Sequence, residues 1–303
     1  MQTEPENLSA MIPLLWEMGN LKRIKPAHLP FSLATDLFQR AWGEIGSGAD
    51  VRRVALTITA GAVAAAELGA IDQTILTQSG LSKSDIENVL TRAFDSSAHL
   101  IDSQLSRLLR QNLSVGSEPV LVEAPDFVRK LSRQPRSGAT KPGASRLIFD
   151  APENHAEHSI IVGIYGVLLA PVFEADIETV FLTALSHHFH NAFLPDAGFA
   201  GEELLGEFLP RIFQTLREKC LSQLSKDVSE LARQTFIVTE NALSPESKAF
   251  HAADVIDRLL QMRHHHQVNQ FNLKYALEEM ELVHAGNVQA FHYEILRRAK
   301  LIG

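Results

Sequence analysis

Apolar positions in the first 112 residues recur at helical spacing, and the residues between them are those that begin and end helices. Leu8 to Met18 is a short apolar segment. Pro30-Phe31-Ser32 supplies a turn and a cap for a helix over Leu33 to Ile45, and Gly46-Ser47-Gly48 stops it. Val51 to Leu68, rich in alanine and valine, predicts a buried helix with close neighbours. Ser82 or Ser84 caps a further helix to about Leu113, with Ile86, Val89, Leu90, Ala93, Leu100 and Leu105 along one side. Residues 114–128 break this pattern and predict one short strand. Residues 132–145 hold two prolines, two glycines and three basic side chains but no large apolar one, and read as a linker or mobile loop. Helical periodicity returns over about 156–171, 175–190, 200–224, 226–241, 246–266 and 271–299. The expected fold is all-α, with a helical N-terminal domain over 1–130, a linker or mobile loop over 131–145 and a second helical domain over 146–303.

Composition narrows the partners. The longest apolar stretch, Ile160 to Phe173, is short of a bilayer span and broken by glycine, so no membrane partner is expected. No basic segment followed by an apolar one opens the chain, which predicts no secretory signal and a cytoplasmic location. The lone Cys220 excludes an internal disulfide and a cysteine-based zinc site. Residues 1–145 carry 15 basic and 15 acidic side chains and residues 146–303 carry 13 and 21, so the net charge of −8 lies in the second half. That surface is a poor match for a nucleic-acid duplex. Of the 13 histidines, 11 also lie after residue 146, which brings imidazoles and carboxylates together in the second half.

Three segments there carry metal-ligand chemistry. The first runs from Arg146 to Glu157-His158-Ser159 and leads into an apolar helix. The second is Ala184-Leu185-Ser186-His187-His188 followed by His190-Asn191 and Asp196, at the end of another helix. The third is His251 to Asp254 and Asp257, inside a third helix. Histidine and aspartate on separate helices can converge in a bundle core.

The order and spacing of these segments resemble the HD-domain superfamily, and within it the 5′-deoxynucleotidase-like phosphohydrolases. Glu157-His158-Ser159 corresponds to the first histidine motif, Ala184 to His187 to the approach to the His-Asp doublet, and Ala253-Asp254 to the closing ligand. The resemblance covers about 146–265 and implies a helical bundle holding a divalent ion through His158, His187, His188 and Asp254. It further implies that Arg146 contacts the substrate phosphate and that Asp196 is the downstream acid, here a proton shuttle. Two positions depart from the family pattern: His188 replaces the doublet's aspartate, and Asn191 replaces a glutamate that serves as base or water-orienter. Imidazole in place of carboxylate moves preference from Mg²⁺ towards a divalent transition metal such as Zn, Fe, Co, Ni or Mn. An amide orients a water but takes no proton, and losing a general base costs about 10²–10⁴ in rate. Asp196, or one of Glu202, Glu203 and Glu207, is then left to move protons.

The function expected is metal-dependent hydrolysis of a small phosphorylated substrate, a nucleotide or related phosphoester, by metal-activated water. Two alternatives stand beside it: a catalytically degenerate regulatory or scaffold protein, and a mononuclear iron redox enzyme. A homodimer through helical faces is compatible with such folds. Plainer expectations accompany individual residues. His187 and His188 also suit a helix C-terminus, His190 and His251 a supporting or surface position, and His155, three residues before His158, a solvated loop or a reserve ligand. Asp257 suits an exposed ion pair, Cys220 a small buried side chain, and His264, His265 and His266 a solvated face, since consecutive helical residues point in different directions.

Overall fold

The computed structural model describes residues 8–113, 124–143, 146–148, 152–269, 274, 277 and 281–302. Its helices are α1 (Leu8–Gly19), α2 (Leu33–Gly46), α3 (Val51–Leu68), α4 (Gln73–Gln78), α5 (Lys83–Ser97), α6 (Ser103–Gln111) and α7 (Asp126–Leu131). There follow α8 (His155–Phe173), α9 (Ile177–Ser186), α10 (Gly198–Leu205), α11 (Leu209–Leu221), α12 (Lys226–Thr235), α13 (Pro245–Asn269) and α14 (Gln289–Arg298). Among the described residues no strand forms, and the fold is all-α as the periodicity predicts. The strand expected in 114–128 falls mostly outside the described residues; its end belongs to α7.

The chain is organised around α8. Asn154 caps its start by accepting from the Glu157 N–H at 2.9 Å, while Glu157 accepts in return from the Asn154 N–H at 2.8 Å. Residues 155–170 are all buried, packed between α2, α3, α9 and α13, which is why the segment is apolar on every side. At 19 residues α8 is long and apolar enough to cross a bilayer by length and composition alone, longer than the 160–173 stretch suggested, yet most of it is covered by protein. Gly166 lets α9 approach: a Cβ there would stand 2.5 Å from Val180 Cγ1. This close crossing brings the first turn of α8 beside the C-terminal end of α9, where His187 begins the turn.

One hydrophobic core runs from Leu8 in α1 to Leu296 in α14, so the helices before residue 131 and those after 155 share it. A small separate cluster holds Leu76, Ile86 and Leu90. Residues 132–143, read as a linker, fold back along the bundle through isolated bridges Pro135–Asn154 and Ala139–Leu147. The long helix expected over 271–299 is interrupted: residues 281–288 are irregular chain that carries Leu282 and His284 to the central cavity, and α14 follows.

Candidate metal centre

His158 lies in the first turn of α8, His187 and His188 just past the end of α9, and Asp254 in the middle of α13. One ligand atom from each of the three imidazoles lies within 4.8 Å of the others. The ring centroids are 5.4 Å apart for His158–His187, 5.3 Å for His158–His188 and 4.0 Å for His187–His188. Asp254 Oδ1 stands 3.1 Å from His158 Nε2. Two ligand atoms on a tetrahedral ion are about 3.3 Å apart when each bond is about 2.0–2.1 Å. All four side chains named from the sequence therefore come together.

Each imidazole has an oxygen acceptor at Nδ1. His158 donates to Asp257 Oδ2 at 2.8 Å, His187 to the Ala184 carbonyl at 2.7 Å, and His188 to Asn191 Oδ1 at 2.9 Å. A proton fixed at Nδ1 leaves Nε2 with a lone pair, the arrangement that metal-bound histidine uses. Nε2 of His158 and of His187 are buried with no hydrogen-bond partner. At His158 this is informative, because the neighbouring Asp254 oxygen is within reach but the approach lacks hydrogen-bond alignment. A lone pair facing a carboxylate oxygen in a buried site is repulsive unless a proton or a metal ion lies between them, and an ion placed there would be shared by His158 and Asp254. Burial holds His187 and His188 well below the ordinary imidazole range, so both are neutral, the form a metal requires. At Asp254 burial raises the carboxyl, and the His158 ring and Arg258 guanidinium outweigh it, holding the group well below its usual range. The donor set fits one divalent transition metal.

A second group of ligand-type side chains, Glu153, His158 and Asp257, adjoins the first. Its cation is already present: Lys22 Nζ lies 2.6 Å from Glu153 Oε2 and 2.7 and 2.8 Å from the two Asp257 oxygens. Asp257 is 1% exposed, so the exposed ion pair expected for it is replaced by a buried one with Lys22. Burial opposes the charge on Lys22, and the two carboxylates overcome it and raise the ammonium above its usual range.

A cavity of about 240 Å³ opens onto the cluster, walled by His187, His188, Asn191, Asp196, Asp254 and Glu202 with Arg136 and Arg258. Phe199 stacks on His284 at 4.5 Å in its wall. A second opening of about 320 Å³ reaches His187, His188 and Asp254 from the side of His251 and His292. Arg146 is not in either wall: it is exposed and donates to the Ala197 carbonyl at 3.0 Å. Asp196 lines the cavity, but its oxygens accept from the Ser137 N–H at 2.9 Å and the Gly198 N–H at 2.8 Å, clasping the 137–140 loop to the start of α10. Gly198 has φ +67°, and a Cβ there would strike Thr140 Oγ1, so this clasp needs glycine. Glu202 lines both openings and burial raises its carboxyl, while Glu203 and Glu207 are exposed.

His155 and His265 depart from their expected places, while His190 and His251 take the supporting rather than the surface position. His155 is 1% exposed rather than solvated, its ring 4.6 Å from that of His188. His190 is buried and stacked on Phe213 at 3.8 Å, and His251 is buried beside His292. His265 is buried and faces Gln261 at 3.0 Å, His264 is half-buried, and only His266 of that triplet is exposed. Sequence reasoning also passed over Lys22, Glu153, Arg136 and Arg258. A signal for part of this existed: Asp254, Asp257, Arg258, Gln261 and His265 repeat at helical spacing on one side of α13.

No curated protein and no solved structure matches the chain. A family model described as HD domain matches residues 128–295, from α7 through most of α14 and including every proposed ligand. That match spans more than half of the chain, and the protein belongs to the HD-domain family.

Proposed function

We propose that this chain is a metal-dependent phosphohydrolase for a small phosphoester of the nucleotide class, related to the 5′-deoxynucleotidase-like branch, with one ion held by His158, His187, His188 and Asp254. The reading rests on the aligned imidazoles, above all the partnerless Nε2 of His158 facing Asp254. A divalent ion there would acidify a water and polarise a phosphoryl oxygen. The doublet's second imidazole, in place of a carboxylate, favours Zn, Fe, Co, Ni or Mn over Mg²⁺.

The remaining roles fall to this chain's own groups. Arg136 and Arg258, both in the cavity wall, are the guanidinium groups suited to bind phosphate; Arg146 is turned elsewhere. Asn191 spends its carbonyl oxygen on His188, so its role is to orient a ligand rather than to take a proton. Glu202, with a carboxyl raised by burial and access to both openings, is the group best suited to exchange protons during turnover. Asp196 shapes the wall that faces His155.

The test is a panel of nucleoside monophosphates and simple phosphomonoesters with each of the five ions, on the wild type and His187→Ala. The expected result is ion-dependent turnover that His187→Ala abolishes while the fold persists. Bound metal without turnover on any substrate would leave the ligand-binding, non-catalytic reading instead.

A further inference from the structure

Lys22 stands on the turn Asn20–Lys22 after α1, far upstream of residue 128 where the family match begins. Its ammonium is nevertheless buried beneath the imidazole cluster. An ammonium has three N–H donors, and here three carboxylate oxygens accept them: Glu153 Oε2 at 2.6 Å and Asp257 Oδ1 and Oδ2 at 2.7 and 2.8 Å. Gripping both Asp257 oxygens fixes the plane of that carboxylate, and the same Oδ2 receives the Nδ1 proton of His158 at 2.8 Å. The next residue repeats the grip: Arg23 donates to Gln261 Oε1 at 2.6 Å. Residues 257 and 261 are one turn apart on the side of α13 that carries Asp254. The turn after α1 thus sets α13 against α8 at the level of the ligands.

We propose that Lys22 is a positioning residue of the metal centre: it holds Asp257, which holds the ring of His158, so helices outside the family match complete the site. This rests on the reading that His158, His187, His188 and Asp254 bind an ion. Groups that orient a metal-bound histidine typically govern about 10–100-fold in metal affinity, and Lys22 acts one link further out.

The simpler role for Lys22 would be to neutralise two adjacent buried carboxylates. Lys22→Met/Glu153→Gln separates the two roles, because it removes one positive and one negative charge together and leaves Asp257 without its clamp. Full-length wild type, Lys22→Met, this double variant and Lys22→Arg are titrated with Zn²⁺ against a chromophoric chelator, with thermal melts alongside and Co²⁺ spectra of the loaded proteins. The double variant is expected to melt near the wild type, to bind Zn²⁺ about tenfold or more weakly, and to give altered Co²⁺ ligand-field bands. Lys22→Arg keeps the charge in a planar fork of different reach and is expected to fold and to bind several-fold more weakly. Wild-type affinity and spectra in whichever of these two variants fold would overturn the proposal while leaving the metal centre standing. A wild type that takes up no Zn²⁺ or Co²⁺ would overturn the metal centre itself, and the role of Lys22 with it.

Discussion

Lowering the pH of the metal-free protein from 7.5 to 5.5 should remove a large part of its stability, and buried imidazoles are the reason. Burial holds His190 at about 3 and His265 and His292 at about 4, against 6.5 for a free side chain. Each is therefore neutral in the folded chain at pH 5.5 and protonated in the unfolded one. A histidine whose folded pKa is lowered costs stability once pH falls below its unfolded value, with a slope of about 1.4 kcal/mol per pH unit. One unit below 6.5, the three together cost about 4 kcal/mol. His155, His187 and His188 are lowered in the same direction by burial and add to the loss. The total is comparable with the whole stability of an ordinary domain, about 5–15 kcal/mol. Asp254 and Glu153 are lowered too, but carboxylates of that kind lose their contribution only as pH falls below about 4.5, a separate window. Urea unfolding of chelator-treated protein followed by circular dichroism at pH 7.5, 6.5 and 5.5 measures the effect. Most of the loss should fall between 6.5 and 5.5, and His190→Gln should recover about one histidine's share of that pH dependence. Stabilities at 7.5 and 5.5 that agree within about 1 kcal/mol would refute the reasoning.

Further predictions follow from single contacts. Asn191→Ala removes the acceptor that aligns His188 and should weaken Zn²⁺ binding by about tenfold or more, read by chelator competition. Arg136→Leu should raise KM for a phosphoester substrate by about tenfold or more, as expected for a lost charge-assisted phosphate contact, whereas Arg146→Leu should leave kcat and KM unchanged. Gly166→Ala drives a methyl into Val180, an overpacking worth about 1–3 kcal/mol, offset by about 1 kcal/mol of helix propensity. The cleaner readout is a double-mutant cycle with Val180→Ala, which should recover about 1 kcal/mol or more relative to additivity.

The four proposed ligands were legible in the sequence because each sits in a local pattern: a helix start at Glu157-His158, a histidine pair at the end of α9, and an Ala-Asp step inside α13. Helix starts were legible for the same reason, since Ser32 and Ser82 each accept a backbone N–H within their own first turn. What supports the ligands was not legible. Lys22 lies in the polar run Asn20-Leu21-Lys22-Arg23-Ile24-Lys25, which reads as surface, and its partners are 131 and 235 residues away. Asp257 looked exposed because its counter-ion comes from another part of the chain. Arg146, assigned to the substrate by the resemblance, stands outside the cavity that Arg136 and Arg258 line, and Arg136 went unnoticed because proline and glycine made 132–145 look like a linker. Tertiary contacts fold that stretch back onto Asn154 and Leu147 and bring Arg136 to the cavity. The burial of His155 and His265 depends equally on neighbours distant in sequence.

X-ray absorption of the untagged, metal-loaded protein tests the centre most directly, since it counts the imidazoles on the ion. The account predicts one ion per chain, an inner shell of nitrogen and oxygen at about 2.0–2.1 Å for zinc, and outer-shell scattering from three imidazole rings that falls to two in His187→Ala. A protein that retains no ion, or a spectrum that His187→Ala leaves unchanged, would contradict it.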